Sequence, residues 1–197
     1  SHVRSFPQRM LAIERKPALL LLFVAAVLAV VLELGTVGYL TSFLAGVHGS
    51  SETCSRAGLV VFLVGIAAGR LVIGLAVKRR LMLWTMAALF LLSALLYAGL
   101  YQVELGRLLF AIVFLAGFFT SALFPLIIAQ AALAAREAAG SVIGVLKLAI
   151  PAGGLVGSLA ISWAAHGHGL RDALWLIPAA AVLGFCAILL TARSLRS

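Results

Sequence analysis

The stretch ALLLLFVAAVLAVVLELGTVGYLTSFLAGV, residues Ala18–Val47, carries one charge, Glu33. A helix needs about 20 apolar residues to cross ~30 Å of hydrocarbon, and this run exceeds that. Five more runs follow: Ser55–Val77, Leu81–Tyr101, Leu105–Ala134, Gly140–Ala165 and Ala173–Ala192. An open sheet would leave backbone polar groups unsatisfied in lipid, so each run is predicted to be a helix. The first and fourth runs are the longest and are expected to tilt or kink. Pro125 and Pro151 are expected to kink the fourth and fifth helices. The expectation is an all-α membrane protein, a bundle of six transmembrane helices solvated by a lipid bilayer.

Composition agrees. The chain is 64% hydrophobic and only 11% charged, and its mean hydropathy is +1.19. A soluble domain has about a quarter of its residues charged. The net charge of +9 does not indicate nucleic acid, because the cations sit between the apolar runs, where the positive-inside rule puts them. Arg4, Arg9, Arg15, Lys16, Lys78, Arg79, Arg80, Arg136, Arg193 and Arg196 share one side, against Arg56, Arg107 and Arg171 on the other. That asymmetry predicts an integral multi-pass protein with both termini in the cytoplasm. A topology in which one run fails to span would part the termini and spoil the segregation. The polar, basic segment Ser1–Lys16 reads as a cytoplasmic tail and lacks the form of a signal peptide. One six-helix domain fills residues 17–193, and residues 194–197 form a C-terminal tail.

The connections are short, which forces neighbouring helices to lie antiparallel. Glycines gather in helices one, two, four and five, while helix three has only Gly99 and helix six only Gly184. Small residues permit close backbone approach. The pattern reads as inner, inner, outer, repeated once, with helices three and six as lipid-facing supports. Two such sets of three suggest a 3+3 inverted repeat, a transporter device.

Charges inside spans are functional candidates, because each costs about 2.5–3.5 kcal/mol at mid-depth on insertion scales. Three stand out. Glu33 lies mid-run with Gly35 and Gly38 close behind it, and a carboxyl group there suits proton coupling. An acid at that place can also pair with a base on the next helix and simply lock the bundle. Arg70 and Lys147 each lie about seven residues from the same membrane face by counting to the run ends, roughly 10 Å. At equal depth they could clamp an anion, or each could snorkel to the interface. Tyr39, Gln130, Thr36, Thr120 and Ser121 could line a polar path or serve as interhelical hydrogen bonds. Trp84, Trp163, Trp175 and Tyr101 read as interface anchors. Cys54 and Cys186 read as unpaired thiols, and His166 and His168 as a solvated loop pair; no metal site or cofactor is expected. An intramembrane hydrolase would need a serine within reach of a histidine. Ser141 and His166 are about 25 residues apart, or roughly 37 Å along a helix, so an enzyme is not expected.

Four segments resemble a known family. They are ELGTVGYLTSFL from Glu33, GRLVIGLAVKRR from Gly69, GFFTSALFPLI from Gly117, and GSVIG from Gly140 with PAGG from Pro151. In order and spacing they are similar to the seventh, eighth, tenth and eleventh helices of major facilitator superfamily transporters. Fucose-permease-like members and oxalate or monocarboxylate carriers are the nearest in kind. The resemblance implies half of a major facilitator fold, a second six-helix half as partner (a homodimer or a separate N-terminal half), and residence in a bacterial inner membrane. Some carboxylate carriers of this kind place an Arg and a Lys where Arg70 and Lys147 stand, which implies an anionic solute. The chain departs from the family's cytoplasmic motif: Ala76–Arg80 has no Asp. The expected function is therefore a secondary active transporter half moving a small polar or anionic solute, proton-coupled through Glu33. The alternative is a non-transporting membrane scaffold or assembly protein.

Overall fold

Proline and glycine chemistry set where the apolar runs break and end. A computed structural model of the protein describes residues 17–46, 49–102 and 108–195. The first run is one continuous helix, α1 (Pro17–Gly46), and the second is α2 (Glu52–Ala76). A single 3-10 turn, Arg79–Leu81, leads into α3 (Met82–Gln102). The fourth run divides into α4 (Leu109–Thr120) and α5 (Leu123–Ala134). Another 3-10 turn, Arg136–Ala138, precedes the fifth run, divided into α6 (Ala139–Lys147) and α7 (Ala149–His168). A short α8 (Leu170–Ala173) opens the sixth, completed by α9 (Leu176–Ser194). Among the described residues, six helical segments are thus long and apolar enough to cross a bilayer.

Both interruptions lie one turn before a proline. Pro125 has no N–H for the carbonyl of Ser121, and Pro151 none for that of Lys147, so each ladder loosens there. The long first run has no proline inside it and stays unbroken. The fifth run ends at Gly169, whose φ of +86° suits glycine and whose N–H closes on the Ala165 carbonyl at 3.0 Å.

Packing is organised around α1. α7 lies along it, with Gly153 against Val27 and Val30 and Gly157 against Val31. α9 also lies along α1, with Ile177 near Gly35, and packs in turn on α3, where Gly184 faces Phe90. α2 is seated mainly on α4 through reciprocal glycines. A Cβ at Gly65 or Gly69 would strike the Phe114 or Phe118 carbonyl, and one at Gly117 the Phe62 carbonyl. Gly65 and Gly69 are spaced four apart, as are Gly153 and Gly157, the small-xxx-small spacing that brings membrane helices into contact.

This arrangement differs from the glycine-based expectation. The second and fifth spans, read as inner, are the most exposed of the six, and the sixth, read as outer, lies along the central helix. The reason is local. Glycine marks the stripe of α2 and α7 that meets a neighbour and says nothing of the opposite face. Tyr101 is also not an interface anchor. It is buried, edge-on to Phe43 at 5.1 Å between ring centres and stacked near Tyr97 at 6.0 Å. Trp163 and Trp84 are exposed near span ends.

Lys78, Arg79, Arg80, Arg136 and Arg193 lie at one end of the bundle, called here the basic end, against Arg56 and Arg171 at the other. The tail Ser1–Lys16, the connections holding Val47, His48 and Val103–Arg107, and Arg196–Ser197 lie outside the described residues, and so do the positive charges assigned to them.

Candidate functional site

Glu33 stands close to the midpoint of α1, 16 residues from Pro17 and 13 from Gly46. Arg70 immediately follows Gly69, at which α2 is pressed onto α4. The two side chains meet. Arg70 Nη2 donates to Glu33 Oε1 at 2.6 Å. The Glu33 side chain is 19% exposed and the Arg70 side chain 49%. The charge pair, near the middle of α1 and six residues from the end of α2, is thus open on one side. Val27, Val30 and Val31 face α7, and Leu44 meets Gly58 of α2. Leu34 also reaches α7, at Gly154, while Val37, Gly38 and Thr41 of α1 are not buried, and a side chain added at Gly38 would meet nothing. This incompletely covered strip of α1, between α2 and α7, is called here the cleft.

The two walls are tied to the floor in similar ways. Arg70, next after Gly69, bonds Glu33. On the other wall Ser158, next after Gly157, accepts a hydrogen bond through its carbonyl from Tyr39 Oη at 3.1 Å.

Lys147 does not join the pair. Gly157 lies against Val31, so the fifth-span residue level with Glu33 is about Leu159. Lys147 is therefore roughly 12 residues, or about 18 Å of helix rise, nearer the basic end. Its side chain is exposed, in the last turn of α6. The expected equal depth of Arg70 and Lys147 fails because the spans are staggered. Gly58 opposite Leu44 puts the end of α2 level with about residue 26 of α1, so α1 overhangs it by roughly ten residues at the basic end. A two-cation clamp on one small anion does not form in this packing. Gln130, half-buried on α5, belongs to the basic half of the fourth span and has no side-chain partner among the described residues.

Behind the pair, at the break between α4 and α5, sits a closed polar knot. Thr120 Oγ1 lies 3.2 Å from both Ser93 Oγ and Tyr97 Oη. Thr36 turns its hydroxyl back to the Leu32 carbonyl at 2.7 Å, and Ser121 donates to the Phe118 carbonyl at 2.9 Å. All five side chains are buried. Thr36, Thr120 and Ser121 are thus hydrogen-bonded within the protein and do not line the cleft. Ser93 and Tyr97 escaped the sequence reading, although a Ser and a Tyr four apart on one helix face in an apolar run are a usable sign.

Cys54 is half-buried and Cys186 exposed, on different spans. His166 and His168 are exposed at the end of α7. Among the described residues no three His, Cys, Asp or Glu side chains gather as a metal site. No protein-family model matches the chain, and no curated protein matches it significantly.

Proposed function

We propose that the chain is one half of a secondary transporter that carries a small polar or anionic solute with a proton, working beside a second six-helix half. The observation that carries this reading is the Glu33–Arg70 pair, set near the middle of α1 with half of the Arg70 side chain exposed. Guanidinium surface turned to hydrocarbon is expensive, so the face that bears it belongs against water or a partner. The packing pattern supports the same reading. Exchange the first span for the fourth, the second for the fifth and the third for the sixth, and the main contacts map onto each other. Second-on-fourth becomes fifth-on-first, first-on-sixth becomes fourth-on-third, and third-on-sixth maps to itself. A 3+3 repeat, whose substrate site lies near the midplane, would give this exchange of contacts, which supports the reading. The resemblance of the four quoted segments to a major facilitator half points the same way, and the exposed faces of α2 and α7 fit a missing companion.

The chemistry proceeds from the pair. A carboxylate-bearing solute entering the cleft competes with Glu33 for Arg70, whose planar fork suits either carboxylate. Glu33, parted from its counter-charge inside the membrane, is neutralised by a proton. Solute and proton then cross together as the two halves rock. Tyr39 stands at the opposite wall, where its hydroxyl holds α7 to the floor.

The test is uptake of labelled small carboxylates into vesicles containing the chain with its companion half. Arg70→Gln abolishes uptake, and Glu33→Gln keeps exchange but loses accumulation driven by a pH gradient. Uptake unchanged in Arg70→Gln refutes the anion site. The direct pairing of Glu33 with Arg70 also favours a second reading, a static lock in a scaffold protein. In that case no solute is taken up by the native chain, and the paired variant Glu33→Gln/Arg70→Gln retains its assembly partner.

A further inference from the structure

The basic end carries a groove that the transport reading does not use. It has a volume of about 310 Å³. Val72, Ile73 and Ala76 of α2 form one wall, Leu81 and Thr85 the second, and Phe118 of α4 the floor. Lys78 is the one charged residue in the lining. Arg79 and Arg80 follow it in the 3-10 turn, and all three cations are exposed. None of them has a carboxylate partner among the described residues. The outer flank of α2 beside the groove is apolar, with Leu71 65% and Leu75 81% exposed.

We infer that this groove holds one anionic phospholipid, its phosphate on Lys78–Arg79–Arg80 and a stretch of acyl chain between α2, α3 and α4. Two features of the groove select this occupant. The volume falls at the lower end of ligand pockets, about 300–1,000 Å³, and its walls are hydrocarbon except for Thr85 and the basic rim, which matches a molecule mostly apolar along its length and anionic at one end. The groove also opens where a spanning helix leaves the membrane, the depth at which headgroups sit, and unpaired cations there attract anionic lipid. A free aqueous anion would use the cations and leave the apolar walls without a partner. The inference rests on the six-span membrane reading alone and stands whether or not the chain transports anything.

Trp84 makes the site measurable. It precedes Thr85 in α3, and the other two tryptophans, Trp163 and Trp175, lie toward the opposite end of the bundle. The full chain carrying Trp163→Phe and Trp175→Phe is placed in vesicles of phosphatidylcholine doped with an equal mole fraction of either brominated phosphatidylcholine or brominated phosphatidylglycerol. The expected result is stronger quenching of Trp84 by the anionic lipid. Neutralising each of Lys78, Arg79 and Arg80 to Gln lowers that preference roughly fivefold per charge, so the triple variant shows none. Ala76→Phe fills the groove with the charges kept and also removes the preference; Ala76→Leu replaces it should the larger side chain prevent insertion. Equal quenching by both lipids in the native background overturns the inference. So does a preference that survives in the triple variant. A preference that survives groove filling overturns it too, since diffuse attraction to the loop would then account for it.

Discussion

Arg70 is the residue on which the site turns. Its guanidinium meets Glu33 at 2.6 Å while half of its side chain stays open. Removing one partner strands the other charge inside the membrane. Arg70→Gln is therefore expected to destabilise the protein by about 2–3 kcal/mol, in line with the insertion cost of a lone acid. Glu33→Gln/Arg70→Gln is expected to recover most of that loss without recovering uptake, and thermal unfolding in detergent beside a transport assay separates the two effects. Lys147, some 18 Å of helix rise from the pair, is expected to behave differently. Lys147→Gln leaves stability unchanged and lowers uptake at least about tenfold less than Arg70→Gln does, a split that a side-by-side uptake measurement reads directly. The charges were legible in the sequence because a Glu, an Arg and a Lys in apolar runs stand out. Their partnership was not. Counting residues to the ends of runs assumes flush helices, and the stagger of α1 over α2 exists only once the glycines have chosen their contacts.

At the scale of the helix, the decisive feature is where backbone touches backbone. Gly117 leaves no room for a Cβ beside the Phe62 carbonyl, whereas Gly38 faces open space. Gly117→Val is expected to cost about 3 kcal/mol, the upper range for an overpacked interior. Gly38→Ala is expected to stabilise by about 0.5–1 kcal/mol through reduced freedom of the unfolded chain, since a helical glycine is already penalised by that amount. Melting temperatures of the two variants test both signs together. The polar knot calls for a smaller number. Thr120→Val deprives Ser93 and Tyr97 of their shared partner, and interhelical hydrogen bonds in membranes average about 0.6 kcal/mol, so a loss near 1 kcal/mol is expected. The breaks one turn before Pro125 and Pro151 were readable from proline chemistry. The burial of Tyr101 was not, because a tyrosine near the end of a run has the same sequence signature whether it meets headgroups or a neighbouring Phe43.

For the molecule as a whole, the six spans were legible because hydrocarbon thickness sets a length that sequence must supply. Neighbour relations were harder, since glycine content reports a contact stripe and not a position within the bundle; this is why α2 and α7 were read as inner and stand exposed. Their exposure carries a prediction. The native particle is expected to contain a companion six-helix unit, so that light scattering in mild detergent gives a protein mass near twice the 20.6 kDa of this chain for a paired copy, or the sum with a distinct half. A monodisperse particle holding one chain that still takes up solute would contradict the pairing. One property of the glycine seats reaches further. A helix resting on bare backbone has few interlocked knobs to unpick when it slips lengthwise, and α2, whose Gly65 and Gly69 sit on the Phe114 and Phe118 carbonyls of α4, has such a track. It carries its tether to α1 one residue beyond a glycine of that track, so a slide of α2 along α4 would drag Arg70 off Glu33.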